Sequence, residues 1–337
     1  MIRVLFYCPV PYALAHGGQQ IQIERTMAAL QEAGAETEAL RWWDQTQKGD
    51  IIHYFDRMPA AQVKLAQQKG IKVVMQELLS AQGSRKPSQL RVQRFVYRAV
   101  KAIVPAGLVS RFNWESYRLA DACVAGTSWE AHLMSYLFDA PPRRVHVVPN
   151  GVEDVFLNSP ETPRGHWLVC AATLTERKRV WEAARAAVLA QAPLWIIGKP
   201  YSENDDYAAK FLAVAKEHSQ FVRYEGAVSD RARLAQIYRE ARGFVLLSAM
   251  ESRSLSAEEA AACGCPLLLS DLPWARSTFG KHAHYCPIAS PERTAAYLRK
   301  FYDATPGLPA PPKPATWADV AAQLKKIYES VMGGGNK

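Results

Sequence analysis

The sequence predicts an α/β protein built from two doubly wound halves. Three observations carry that prediction. Across 337 residues, short apolar runs alternate with helix-length amphipathic stretches, the pattern of parallel strands joined by crossover helices. The opening run "IRVLFYCPV", the Gly17-Gly18 loop and the helical "IQIERTMAALQEAG" form a β-loop-α unit. The scheme then begins again after the polar, proline-containing stretch in "VVPNGVEDVFLNSPETPRG", where Pro149-Asn150-Gly151 breaks a strand.

Taken in order, the first half holds strand candidates "IRVLFYCPV", "DIIHYF", "IKVVMQ", "ADACVAGT" and "RVHVVPNG". The second holds "HWLVCAATL", "PLWIIGK", "QFVRYEGA", "GFVLLSAM", "CPLLLSD" and "AHYCP". The chain is long enough for each half to bury its own core. The expected domains are residues 1–155 and 156–315. A proline-rich connector, "TPGLPAPPKPATW", leads to the amphipathic "WADVAAQLKKIYESVM", a final helix at 316–332 expected to pack back on the first domain.

Composition narrows the function classes. With 49% hydrophobic and 22% charged residues the chain is that of a folded globular protein and not a disordered one. No stretch of about 20 apolar residues is present, and the N-terminus enters a strand-turn pattern without a cleavage site, so a cytoplasmic location is expected. Six scattered cysteines include one close pair, Cys263-x-Cys265, with no second pair to complete a zinc site; reduced, mostly buried thiols and no bound metal are expected. The net charge of +9 points to an anionic partner. Zinc-finger spacing and RNA-binding aromatic signatures are missing, so nucleic acid is not expected.

The stretch "ESRSLSAEEAAACGCP" places Glu251 just beyond the strand "FVLLSAM", at the carboxyl edge where α/β sheets bind ligands. Leu255 and Ser256 fall in the first turn of the next helix, whose free N–H groups can hold phosphate, and Glu259 lies inside it. Plainer readings stand beside these. Ser256-x-x-Glu259 also spells a capping box, Glu251 also reads as a solvated loop acid, and Glu258 is expected at the surface. In "TLTERKRV", Arg177 and Lys178 supply cations or simply a solvated basic helix start. Gly17 and Gly18 approach a ligand or make a plain turn, and without G-x-G-x-x-G no dinucleotide cofactor is expected. In "GDIIHYFDRMP", His53 is a cleft residue or a core imidazole, with Asp56 nearer the strand end.

"VVPNGVE", "VRYEGAVSDRARLAQIYREARGFVLLSAMES" and Glu251-x7-Glu259 leading into "EAAACGCP" together resemble the retaining, nucleotide-sugar-dependent glycosyltransferases of family 4, which have the GT-B fold. The resemblance implies two Rossmann-like domains facing a cleft, with the donor held mainly by the C-terminal domain and the acceptor by the N-terminal one. It implies no metal and no cofactor, a nucleotide-diphosphate sugar being the co-substrate. Residue by residue, it puts Glu251 by the donor sugar, Glu259 on the ribose hydroxyls, and Ser254, Leu255 and Ser256 at the donor phosphates. Lys178 matches the lysine that neutralises the diphosphate; Thr173 stands where the family has arginine, Arg179 where it has glycine, and Arg177 makes up the charge. Gly17 and Gly18, with His16 beside them, match the N-terminal glycine loop, and His53 the strand-end Asp-x-x-His segment. Ser252-Arg253-Ser254 replaces Gly-Phe-Gly, so side chains stand where backbone approaches the sugar. The implied catalytic set is Glu251, Lys178, Arg177 and His53, acting by front-face attack on the donor in envelope or exopolysaccharide synthesis. Two other readings stay open: a non-catalytic nucleotide-sugar or glycan-binding subunit, and another GT-B enzyme such as a nucleotide-sugar epimerase.

"LRVQRFVYRAVKAIV" carries Arg91, Arg94, Arg98 and Lys101 at helical spacing beside Val92, Phe95, Val96, Ala99 and Ile103. It is either a domain helix with a solvated basic face or a peripheral contact with an anionic membrane or lipid-linked acceptor at the inner face of the cytoplasmic membrane.

Overall fold

The computed structural model of the chain describes residues 1–13, 17–158 and 162–333, the side chains of 106 and 107 excepted. Among these, twelve strands form two six-stranded sheets, and every strand pairing is parallel. The chain divides into two units, one of residues 1–15, 19–151 and 315–337, the other of 16–18 and 152–314. Each has one sheet and its own apolar core.

In the first unit the strands are β1 (Arg3–Tyr7), β2 (Glu36–Ala39), β3 (Ile51–Tyr54), β4 (Lys72–Met75), β5 (Ala122–Ala125) and β6 (Val145–Val147), in the order β2-β1-β3-β4-β5-β6. Helices cover both faces of such a sheet, which is why β3 and β5 are buried along their whole length and read as continuous apolar runs. The two edge strands, β2 and β6, are the exceptions, and in β2 Glu36 accepts a hydrogen bond from Arg3 Nε of β1 at 2.8 Å. The principal helices here are α1 (Gly18–Glu32), α2 (Ala60–Gln68), α3 (Pro87–Ile103) and α4 (Ser128–Phe138).

The second unit holds β7 (Leu168–Ala171), β8 (Leu194–Ile197), β9 (Val222–Tyr224), β10 (Gly243–Leu246), β11 (Leu267–Ser270) and β12 (His284–Cys286), ordered β12-β11-β10-β7-β8-β9. Its principal helices are α5 (Val180–Ala190), α6 (Asp206–Glu217), α7 (Arg231–Glu240), α8 (Leu255–Ala262) and α9 (Pro291–Ala304). Counted from β7, the order is the 3-2-1-4-5-6 of dinucleotide-type sheets, and the winding reverses between β7 and β10, which lie side by side with Leu168 opposite Gly243. A crevice opens outside the carboxyl ends of two strands that diverge in this way, because their connections leave to opposite faces. In the first unit the reversal falls between β1 and β3.

α8 has alanine at four of its eight positions and is buried at every residue except Ser256, so it threads closely between the sheet and α7. The last helix, α10 (Trp317–Gly333), belongs to the first unit, where Lys325 Nζ donates to the Ala33 carbonyl at 3.0 Å. A side chain at Gly151 would put its Cβ 2.6 Å from the Trp317 backbone nitrogen, so glycine is required where the chain passes the start of α10.

Candidate active site

The loops leaving β7 and β10, the two strands at the reversal, bring charge together. Lys178 Nζ lies 2.5 Å from Glu251 Oε1, and Arg177 Nη1 lies 3.1 Å from the same oxygen. Hydrogen bonds to backbone carbonyls hold the loops in register: Ala249 N donates to the Arg177 carbonyl at 2.8 Å, Ser248 Oγ to that carbonyl at 3.1 Å, and Arg177 Nη1 to the Met250 carbonyl at 2.7 Å. Ser270 Oγ, at the end of β11, donates to the Ser248 carbonyl at 2.6 Å and braces the second loop from behind. Arg179 sits at φ 55°, the left-handed region favouring glycine, and its Nη2 donates to the Ala289 carbonyl at 2.6 Å. The turn therefore keeps a glycine-like backbone despite its side chain.

The Glu251 side chain is only 8% exposed. Burial pushes its carboxyl up, but Lys178 and Arg177 more than offset this and hold it below the ordinary glutamate value. It is an ionised, paired carboxylate and not a solvated loop acid.

α8 starts at Leu255, and its N-cap is Ser254, whose Oγ accepts from Ala257 N at 3.3 Å. This corrects the capping-box reading of Ser256-x-x-Glu259. With Ser254 as cap, Glu259 lies beyond the first turn and faces α7, where it contacts the Arg231 guanidinium. Arg231 Nε also donates to Glu153 Oε1 at 2.7 Å, and its guanidinium lies 4.7 Å from the Phe156 ring centre. Burial pushes the Glu259 carboxyl up, and the opposing pull of Arg231 leaves it at about 7. Glu258 is a second correction: it is buried and accepts from Arg253 Nε at 2.6 Å. Arg253, the middle residue of Ser252-Arg253-Ser254, is thus engaged by α8 itself, while Ser252 and Ser254 are buried. The amides of Leu255 and Ser256 are first-turn donors, which a helix cannot satisfy within itself.

His53 is corrected as well. It lies in the interior of the first unit with no solvent exposure, its Nδ1 2.6 Å from Tyr328 Oη of α10 and its Nε2 3.1 Å from Gln76 Oε1. Burial pushes its pKa down to about 3, so it is a neutral core imidazole tying β3 to α10, with both ring nitrogens occupied. Asp56, past the end of β3, accepts from Arg57 N at 2.7 Å. Gly17 follows β1 at φ 146°, a conformation that favours glycine, and Gly18 opens α1. His16 lies outside the described residues. Of the basic residues on α3, Arg94 is laid over the Tyr136 ring at 4.1 Å and Lys101 Nζ lies 3.3 Å from Asp139, whereas Arg91 and Arg98 are exposed.

Sequence reasoning missed Arg231 and Glu153, the pair that orients Glu259. The signal was present in part: Asp230 caps α7 by accepting from the Ala232 and Arg233 amides, which fixes Arg231 at the first helical position.

Two six-stranded parallel sheets with the β7/β10 reversal decide the fold, and solved structures agree. The fold is GT-B. Sucrose-phosphate synthase from Thermosynechococcus elongatus superposes with a TM-score of 0.65 at 17% identity, over 99% of this chain and 100% of that one. HepE of Anabaena in complex with UDP-glucose superposes at 0.64 and 13% identity, over 99% of both chains. By sequence, residues 165–304 match the profile of the family described as Glycosyl transferases group 1. D-inositol 3-phosphate glycosyltransferase of Jonesia denitrificans is 32% identical in an alignment 177 positions long that covers 45% of this chain and 41% of that protein, so the match spans less than half of either. The matched family segment contains Lys178, Arg231, Glu251 and Glu259 but not Glu153. No described helix is long and apolar enough to cross a membrane.

Proposed function

We propose that the protein is a retaining glycosyltransferase of the family 4 kind, moving a hexosyl group from a nucleotide-diphosphate sugar to a glycan or lipid-linked acceptor in envelope or exopolysaccharide synthesis. The observation that carries the reading is the Lys178-Arg177-Glu251 cluster at the β7/β10 reversal, beside the start of α8. Breaking the bond between the sugar and the diphosphate develops negative charge on the departing oxygen. Lys178, Arg177 and the Leu255 and Ser256 amides stabilise that charge without reorganising at the moment of reaction. These groups supply the countercharge a diphosphate needs, and the step is assigned no metal. Glu251 holds the two cations in place and lies toward the donor sugar; Glu259, held by Arg231, accepts from the ribose hydroxyls.

In the front-face route the acceptor oxygen bonds to the anomeric carbon on the side the diphosphate leaves, and the acceptor proton passes to the departing phosphate oxygen. No protein nucleophile or base is required, which fits the withdrawal of His53 into the core. The first unit takes the acceptor, Gly17 and Gly18 serve the donor, and the protein works in the cytoplasm, touching the anionic membrane through the basic side chains of α3.

UDP-glucose, the ligand of the Anabaena HepE complex, is the first probe. It should raise the melting temperature in the presence of chelator and be turned over to glycosylated acceptor or glucose, and Lys178→Met should abolish both effects. Failure of every nucleotide sugar in a panel to stabilise the protein would refute the donor assignment, and stabilisation that vanishes in chelator would refute the metal-free step. Binding without turnover would assign the chain to the non-catalytic reading.

A further inference from the structure

Residues 78–114 contain Arg85, Lys86, Arg91, Arg94, Arg98, Lys101 and Arg111 and no Asp or Glu. This acid-free stretch includes α3, which is attached to the first unit along a narrow side. Leu90 and Tyr97 are its buried residues, and Arg94 and Lys101, which share their face, are tied to Tyr136 and Asp139. The opposite face is apolar and open: Val92, Phe95, Val96 and Ile103 are 64%, 73%, 51% and 81% exposed. Together with Ala99 they fall in one stripe about 100° wide on a helix of 3.6 residues per turn. Arg91 and Arg98, exposed, stand along one flank of it. Just beyond the helix, Leu108 and Phe112 are half-exposed beside the exposed Arg111. An amphipathic helix on a globular domain ordinarily turns its apolar stripe inward. Here the stripe points to solvent.

The geometry points to α3 and the segment to Phe112 as a membrane-insertion surface: Phe95 and Ile103 enter the acyl boundary of an anionic bilayer while Arg91, Arg98 and Arg111 meet lipid phosphates. This goes beyond charge attraction, because the exposed side chains are those that gain from leaving water. Charge complementarity selects the occupant. A second copy of the chain would set Arg91, Arg98 and Arg111 against the same arginines, in a segment with no acid to neutralise them. An anionic bilayer offers both the phosphates and the apolar layer beneath them. The inference rests on the membrane contact of the proposed function and deepens it, but not on the transferase chemistry, and its test requires no catalysis.

The full chain is sedimented with vesicles of phosphatidylcholine alone and of phosphatidylcholine with phosphatidylglycerol, at low salt and at about 0.5 M salt, where exposed charges more than a few Å apart are screened. Wild type should pellet with the anionic vesicles, and part should remain bound at high salt. Phe95→Ser/Ile103→Ser should lower partitioning more than tenfold and abolish the salt-resistant fraction. Arg91→Gln/Arg98→Gln should lower low-salt binding about fivefold per arginine and leave the salt-resistant fraction in place. Because the substituted side chains are exposed, melting temperatures and UDP-glucose stabilisation should match wild type, separating lost docking from lost folding. Wild type remaining in the supernatant with anionic vesicles at low salt would overturn the inference, as would a Phe95→Ser/Ile103→Ser protein that pellets like wild type. Concentration-dependent dimerisation abolished by the same pair would assign the face to a second copy instead.

Discussion

Raising the pH between about 5 and 8 should weaken the fold through Glu259, and Glu259→Gln should remove that dependence. The residue is 4% exposed, and burial holds its carboxyl at about 7 against 4.5 for the free side chain. Between those values the folded chain keeps a proton that the unfolded chain has released. The stabilisation is complete below pH 4.5 and is lost as the pH rises through 7. At about 1.4 kcal/mol per pH unit of difference, the whole effect is about 3 kcal/mol. Urea unfolding of both proteins across this range tests it, the readout being wild type minus variant at each pH, so that other titrating groups cancel. A second measurement connects the same carboxyl to function. Ribose hydroxyls donate to an ionised acceptor, so UDP-glucose affinity should rise from about pH 6 to 8 in wild type and stay level in Glu259→Gln. The diphosphate of a nucleotide sugar is a diester with no proton to titrate in that range. A stability difference that does not change with pH would refute the burial argument. An affinity indifferent to Glu259 would refute ribose binding and leave an ion pair that only fastens α8 to α7.

Three shorter predictions follow from the same geometry. Lys178→Met leaves the buried Glu251 with the half-exposed Arg177 as its remaining cation and should cost about 3–5 kcal/mol in unfolding experiments, while Lys178→Met/Glu251→Gln should cost clearly less than the sum of its singles; a simply additive cycle would show that the two groups do not interact. His53→Leu strands the Tyr328 hydroxyl and the Gln76 amide and should lose about 1–3 kcal/mol of stability, with the transfer rate below the melting transition kept near wild type; a collapsed rate at unchanged stability would return His53 to the chemistry. Ser254→Ala should cost about 0.5–2 kcal/mol by uncapping α8, whereas Ser256→Ala should leave thermal stability near wild type, an ordering that reverses if Ser256 is the cap.

What the sequence revealed and what it hid have separate physical reasons. Strands buried on both faces appear as unbroken apolar runs, so β3, β5, β8, β10 and β11 were legible. β2 was not, because Glu36-Thr37-Glu38-Ala39 is an edge strand with little to bury. The placement of Glu251 and Lys178 in the loops after β10 and β7 was legible because each sits at a fixed offset from a strand end, a local property. The contacts of Arg231 with Glu259 and Glu153 join residues 28 and 78 positions apart, and local spacing carries no trace of them. His53 was misplaced because a strand buried on both sides gives no alternation from which to tell a rim residue from an interior one. In α3 the periodicity fixed the width of the apolar stripe but not its direction, since that depends on which side the rest of the unit covers.

The three glutamates at the start of α8 also explain how an alanine-rich helix is held firmly enough to aim its first amides. Side chains too small to interlock give little resistance to sliding or rotation, and α8 has only such side chains over its last three positions, Ala260, Ala261 and Ala262. Glu258 is fixed by Arg253, Glu259 by Arg231, and Glu251, just before the helix, by Lys178 and Arg177. These anchors come from the β10 loop, α7 and the β7 loop, so rotation of α8 would strain ion pairs on several sides at once. With Glu153 included, four carboxylates face four cations, and the arrangement is neutral before any ligand binds once Glu259 has lost its proton. Under the proposed function, an incoming diphosphate would therefore draw its countercharge from groups already engaged. Arg177, whose side chain is 39% exposed against 13% for Lys178, can turn toward it at the smaller desolvation cost. On that reading Lys178 stays on Glu251, that carboxylate keeps its partner, and the cation that turns to the phosphate is the one the solvent already reaches.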